Sequence, residues 1–300
     1  MDNSTKNDTE KTLVTTMGDD SNSNGTSCDS IQVGSEVVLI TLYSIVLLGG
    51  TVGAIIMTWK MKSVQKSVTS TAMVNLIFIH TLFLLTIPFR ISYYALHEWK
   101  FGPMFCKLSS SMIHAHMYLA FVFYVIIVVI RMISFFKQKE TVQFYQPWHA
   151  SAGSLVIWFL VLLGVLPPFL LLYGKTFDYK AEKCFEFQAE MADPLVKVVN
   201  YFVVISVLMI IVALLTIQVG IIIKLLAQHA VRQQQQFGAQ MKTIIFMLVM
   251  IVCFTPYLMF RLYYINKAAN EKCLHIVNEC FLALTAMSCF DVLTFLIPAH

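Results

Sequence analysis

Seven runs of this chain are each long and apolar enough to cross a bilayer as a helix: Val37–Trp59, Val68–Leu96, Cys106–Phe136, His149–Tyr173, Leu195–Leu226, Met241–Ile265 and Leu274–Pro298. A span needs about 20 mostly apolar residues. Together these runs take up most of the sequence. Only 13% of the 300 residues are charged, against roughly 25% in a soluble domain. That is too few to coat a surface facing water. The chain reads as an all-α membrane protein, a seven-transmembrane-helix bundle over residues 36–300, in contact with membrane lipids. Its net charge of +4 carries no argument for a nucleic-acid partner, and none is expected.

The short loops set the orientation, because Lys and Arg favour the cytoplasmic side. One set of loops holds Lys60, Lys62, Lys66, Arg131, Lys137, Lys139, Lys224, Arg232 and Lys242, with Glu140 as its only acid. The opposite set, with the N-terminus, holds thirteen acids, from Asp2 and Asp8 to Asp193 and Glu271. The N-terminus is therefore expected outside and the C-terminus in the cytosol. Residues 1–35 are polar, read as a disordered extracellular tail, and carry sequons at Asn3, Asn7 and Asn24, so glycosylation is expected. No apolar h-region follows Met1, so the first span is expected to act as an uncleaved signal. "RQQQQ", Arg232–Gln236, reads as a flexible cytosolic loop. Of seven cysteines, Cys253, Cys280 and Cys289 fall within spans and read as packed thiols. Cys28, Cys106, Cys184 and Cys273 all fall on the oxidising side. Four cysteines there suggest two disulfides, and three pairings are open.

"FVFYVIIVVIRMISFF", Phe121–Phe136, contains one charge, Arg131. Arg131 lies 25 residues past Cys106, or about 37 Å along a helix. The hydrocarbon is about 30 Å thick, so with ordinary tilt the arginine reaches the cytoplasmic interface. There the cost falls well below the roughly 2.5–3.5 kcal/mol of a charge at a helix centre. It is either a snorkelling topology residue or a group offered to a cytosolic partner.

Six short stretches resemble the signatures of rhodopsin-like (class A) G-protein-coupled receptors. They are "WKFGPMFCKL" leading to Cys106, "IRM" around Arg131, Trp158 followed by Pro167 and Pro168, Cys184, "CFTPY" at Cys253–Tyr257, and "DVLTF" at Asp291–Phe295. Each is weak alone, but in this order and spacing they are specific. The resemblance implies a plasma-membrane receptor that passes an extracellular signal to heterotrimeric G proteins, with no cofactor. It implies a Cys106–Cys184 bridge, which leaves Cys28 to pair with Cys273. It also implies G-protein contact at Arg131, Lys137, Lys224 and Lys242.

The departures from the family pattern bear on switching. The acid before the arginine is Ile130, and the tyrosine after it is Met132. No acid occurs from Lys224 to Lys242. Phe254 replaces the span-6 tryptophan, Val292 and Phe295 replace the span-7 proline and tyrosine, and Gln218 replaces a span-5 tyrosine. Ala54 stands where span 1 usually has asparagine. A missing acid predicts raised basal signalling; missing tyrosines predict the reverse, a receptor fold that binds ligand but couples weakly or not at all.

Two constellations could carry chemistry. His80 replaces the span-2 aspartate that binds sodium in family members, Ala120 stands at a third-span position that often supplies a serine ligand, and Asp291 keeps an acid in span 7. A His80–Asp291 pair in place of sodium is expected, acting with Phe254 and Phe295 as the activation switch; a neutral histidine bonded to backbone or water is the alternative. In the outer half, Arg90, His114 and Arg261, with Tyr118 and Tyr257, would suit an anionic or lipid-like ligand. Alternatively, Arg90 and Arg261 pair with loop acids or Glu279. A seven-span zinc hydrolase using His80, His114, His116 and Asp291 is a remote alternative. Residues i and i+2 point about 200° apart on a helix, so His114 and His116 cannot share one ion. The chain is not expected to be an enzyme.

Overall fold

The computed structural model describes residues 20–63, 67–136, 147–167, 184–185, 193–227, 233–267 and 273–296. Side chains are described for all of these but residues 20–29, 147, 166, 233–239, 242 and 292–296. Six described helical segments are long and apolar enough to cross a membrane: Ser30–Met61, Val68–Leu96, Pro103–Phe136, Trp148–Val165, Pro194–Ala227 and Thr243–Lys267. These are spans 1 to 6. Span 7 is an α-helix over Leu274–Thr285 that continues as a 3₁₀ helix over Ala286–Leu296.

Span 3 runs up the middle and packs against spans 2, 4, 5, 6 and 7, while span 1 closes the bundle against spans 2 and 7. Burial follows from this. Ile113, Leu119, Phe123, Tyr124 and Ile127 of span 3 are buried, whereas Leu48, Phe159, Phe202 and Leu226 face outward. An apolar outer surface of this extent suits hydrocarbon and not water. Span 4 is the most peripheral. Its Trp158 Nε1 donates to Asn75 Oδ1 at 2.8 Å, and Asn75 Nδ2 donates to Ser154 Oγ at 3.1 Å, fastening span 4 to span 2.

Three spans depart from a regular helix, and each departure places functional groups. Span 2 breaks between Leu84 and Ile87. Pro88 has no N–H, and its ring collides with the carbonyl four residues earlier. The Thr86 hydroxyl instead donates to the Phe83 carbonyl at 2.7 Å. Span 6 carries a π turn over Met250–Phe254, just before Pro256, which relieves the same clash by inserting a residue. Span 7 tightens to 3₁₀ with Val292 in place of proline. Thr285 Oγ1 donates to the Leu282 carbonyl at 2.6 Å at the point of change.

Two boundaries differ from the sequence reading. Residues 20–35, expected within a disordered tail, are helical and continuous with span 1. Likewise Gln233–Gln236, expected as flexible loop, form the first turn of the helix leading into span 6. The cause is the same in both. Once a span supplies the helical nucleus, each added residue gains one hydrogen bond for the one residue it fixes and the cost of nucleation is already met, and in the second case glutamine is a good helix former.

Candidate functional site

At one end of the bundle Cys106 of span 3 is bonded to Cys184, with Cα atoms 5.8 Å apart. Phe185 follows in a left-handed backbone conformation, φ 67°. Its ring packs edge-on to Tyr93 at 5.2 Å and against Tyr94 at 6.0 Å, and Arg90 lies 4.4 Å over its face. Trp99 joins this cluster, with Nε1 donating to the Gly102 carbonyl at 2.7 Å. Gly102 has φ 79°, a conformation in which a side chain is strained. Cys273 is also disulfide-bonded. The expected Cys28–Cys273 pairing rests on a side chain outside the described residues, as do the sequons at Asn3, Asn7 and Asn24.

Arg90 is 1% exposed. Its Nη1 donates to Glu279 Oε2 at 3.3 Å and to Tyr43 Oη at 3.2 Å, and its Nη2 donates to the Ser109 carbonyl at 3.0 Å. Of the two readings open for Arg90, the geometry places it in the Glu279 pair, joining spans 1, 2, 3 and 7. Above this pair lies a cavity of about 200 Å³ lined by Glu36, Tyr93, Tyr94, His97, Phe185, His275 and Glu279, among others. Arg261 lies between spans 5 and 7. Its Nη2 donates to Asn200 Oδ1 at 3.0 Å and its Nη1 to Asn278 Oδ1 at 3.4 Å. Tyr257 and Arg261 are buried, and His114 Nδ1 lies 3.1 Å from the Ser110 carbonyl. Tyr118 lines a much smaller gap, about 10 Å³, above Phe254. The five expected ligand residues thus do not share one described cavity: Arg90 underlies the large one and Tyr118 borders the small one.

Midway down the bundle, His80 Nε2 lies 3.3 Å from Asp291 Oδ1, both side chains 1% exposed. The two side chains that the sequence reading pairs are thus within ion-pair distance. His80 also has a second neighbour, which the sequence reading groups with it only in the remote zinc-hydrolase alternative: its Nδ1 is 2.9 Å from His116 Nε2. That same His116 nitrogen is 3.6 Å from Cys289 Sγ. His114 and His116 diverge, as their spacing requires. Phe254 packs against Phe121 and Tyr124, and Tyr124 Oη donates to the Ser288 carbonyl at 3.2 Å, linking span 3 to the 3₁₀ segment.

At the opposite end from the disulfide, Arg131 lies 5.5 Å over the ring of Phe246 in span 6. Gln218 Nε2 donates to Gln240 Oε1 at 3.0 Å, both buried, joining spans 5 and 6. Lys224 is exposed at the foot of span 5. Lys137 and the side chains of Lys242 and Phe295 lie outside the described residues. Phe246 and Gln240 carry no motif signal, because an aromatic or amide in an otherwise apolar span reads as packing.

A bundle with this disulfide, a proline-associated π turn in span 6 and an arginine at the far mouth is the architecture of a receptor. The family model of the 7 transmembrane receptor (rhodopsin family) matches residues 50–291, and the chain belongs to that family. It is a multi-pass plasma-membrane G-protein-coupled receptor and not an enzyme. In particular, the chain is 44% identical over 281 residues to the human protein named Probable G-protein coupled receptor 141, covering 91% of each. It is 25% identical over 301 residues to Probable G-protein coupled receptor 34 of Pan troglodytes, covering 92% of this chain and 77% of that one. Over 119 residues it is 31% identical to mouse Lysophosphatidic acid receptor 6, covering 39% of this chain and 35% of the relative.

Proposed function

We propose that this receptor stands with its N-terminus outside and its C-terminus in the cytosol, and couples to heterotrimeric G proteins through the mouth around Arg131. The charge asymmetry of the loops supports the orientation, and the disulfide at the opposite end agrees with it. The observation that carries the coupling reading is the Arg131–Phe246 contact. Arg131 rests on an aromatic face of the helix whose outward movement opens the mouth in this family. Lys224, exposed at the foot of span 5, adds positive charge on that side, and the sequence puts Lys137 and Lys242 in the same basic set of loops. A cation–π contact contributes about 0.5–2 kcal/mol, less than the roughly 1.5–3 kcal/mol of a charge-assisted hydrogen bond. With Ile130 in place of the usual acid, the resting state is held weakly and basal signalling is raised. In intact cells expressing matched surface amounts, wild type is expected to dissociate G-protein subunits without ligand. Arg131→Ala should return the signal to that of cells lacking the receptor. A wild-type signal that Arg131→Ala leaves intact would count against this site.

The ligand reaches the bundle from the disulfide end. Its class is read as anionic or lipid-like, on the Arg261, His114 and Tyr257 group and on the partial likeness to Lysophosphatidic acid receptor 6. The pairing of Cys28 with Cys273 is part of the same reading. Of seven cysteines, Cys28 is the one left when Cys106–Cys184 is paired and Cys253, Cys280 and Cys289 are free.

Sodium is not a regulator of this receptor. Where relatives supply oxygen ligands, this chain presents the His80 ring and the Ala120 methyl, and Asp291 faces the imidazole. Thermal stability is expected to be the same in sodium and in a bulky organic cation at fixed ionic strength. A stabilisation specific to sodium would refute this.

A further inference from the structure

The histidine–cysteine cluster midway down the bundle has a composition that neither a sodium site nor an apolar core requires. His80, His116 and Cys289 come from spans 2, 3 and 7, and their donor atoms lie within 4.8 Å of one another. All three are buried, 1%, 0% and 1% exposed. We propose that His80 Nδ1, His116 Nε2 and Cys289 Sγ bind a zinc ion that staples spans 2, 3 and 7 together.

Two of the three donor–donor distances are close to those of this chemistry, and the third is within 4.8 Å. Tetrahedral zinc, with bonds of about 2.0–2.1 Å to nitrogen and 2.3 Å to sulfur, sets its nitrogen and sulfur ligands about 3.6 Å apart and two nitrogens about 3.3 Å apart. Here His116 Nε2 and Cys289 Sγ are 3.6 Å apart, and His80 Nδ1 and His116 Nε2 are 2.9 Å apart. The two rings need only separate by a few tenths of an ångström. Imidazole and thiolate select zinc over sodium, magnesium or calcium, which prefer oxygen.

The surroundings also match a metal centre. A zinc-bound histidine usually donates its other ring N–H to a carboxylate, which fixes the tautomer and orients the ring. His80 turns Nδ1 toward His116 and brings Nε2 to 3.3 Å from Asp291 Oδ1, an ion-pair contact that a small turn of the ring would make a hydrogen bond. Phe83 stacks on His116 with ring centres 4.4 Å apart, fixing that ring as well. On binding, the Cys289 thiol loses its proton to solvent. One thiolate and the Asp291 carboxylate then balance the two positive charges of the ion, with both histidines neutral. These three side chains fill three of the four tetrahedral positions, a water would take the fourth, and burial of all three ligands leaves the ion a structural role. Because Cys289 sits in the 3₁₀ segment of span 7, the ion would hold that segment to span 3 in the arrangement described here.

The test is metal content and ligation in receptor purified from zinc-supplemented cells without a metal-affinity step. Folded wild type should carry about one zinc per receptor. Cys289→Ala and His116→Phe, selected as monodisperse folded protein, should each carry less than about a tenth of that. Cobalt exchanged into wild type should give a thiolate-to-metal charge-transfer band, which reads cysteine ligation even where a variant does not fold. A zinc chelator should lower the melting temperature of wild type and leave that of Cys289→Ala unchanged. Folded wild type without zinc, variants with wild-type zinc content, or cobalt loading without a thiolate band would each overturn the proposal.

Discussion

Cys106→Ala is expected to remove nearly all receptor from the cell surface. Losing a native disulfide costs about 2–5 kcal/mol in small domains, and here more than the bridge is lost. Cys184 positions Phe185, whose left-handed backbone is held by the bridge on one side and by aromatic packing on the other. A residue other than glycine in that region costs of order 1–3 kcal/mol unless its surroundings enforce it. Once released, Phe185 would leave the faces of Arg90, Tyr93 and Tyr94, opening a wet path to a buried charge. Cys28→Ala should be much milder, because the proposed bridge to Cys273 would tie down only the helical extension ahead of span 1. Flow cytometry of an epitope at the N-terminus checks both. Equal surface staining for Cys106→Ala and wild type would contradict the account.

The second large effect is expected at the Arg90–Glu279 pair. Removing one partner of a buried ion pair costs about 3–5 kcal/mol, chiefly because the other charge is left behind. Glu279→Ala should therefore lower the melting temperature of purified receptor by roughly 5–10 °C. Tyr43 and the Ser109 carbonyl still contact Arg90, so the loss should not be complete. The double substitution Arg90→Met with Glu279→Leu removes both charges and keeps volume. It should recover most of the loss, since apolar replacements of buried pairs are often neutral. Additive losses in the double variant would show that the two residues act separately.

Much of this architecture was legible from the chain. Six of the seven apolar runs fall on helices long and apolar enough to cross, and the seventh falls on the helix over Leu274–Thr285 and its 3₁₀ continuation, because hydrocarbon imposes a length and a composition that few other constraints mimic. The 25 residues between Cys106 and Arg131 placed the disulfide and the arginine at opposite ends. The His80–Asp291 spacing and the Arg90–Glu279 alternative were also within reach. What stayed hidden was lateral. A span apolar on every side gives no moment to say which face meets which neighbour. His116 is therefore set beside His80 only in the remote zinc-hydrolase alternative, and Phe246 could not be assigned to Arg131, nor Gln240 to Gln218. Cys289 read as a packed thiol because only the third dimension brings it to His116. The 3₁₀ segment of span 7 carries no proline to announce it, and the extent of the π turn in span 6 depends on packing around Pro256.

The absent acid at position 130 links sequence to signalling most directly. A loss of about 1.4 kcal/mol of bias toward the resting state raises a minor active state roughly tenfold. The Phe246 contact returns part of that, so a several-fold effect is expected. The opposing feature in the sequence is the pair of missing tyrosines, at Phe295 and Gln218. The decisive measurement is nucleotide exchange on a purified G protein by receptor reconstituted in lipid without ligand, comparing wild type, Ile130→Asp and Phe295→Tyr. The account predicts exchange above the G protein alone for wild type and about three- to tenfold less stimulation for Ile130→Asp. If Ile130→Asp leaves exchange unchanged while Phe295→Tyr raises it sharply, the missing tyrosines control the receptor, and the chain is a ligand-binding receptor fold that couples weakly.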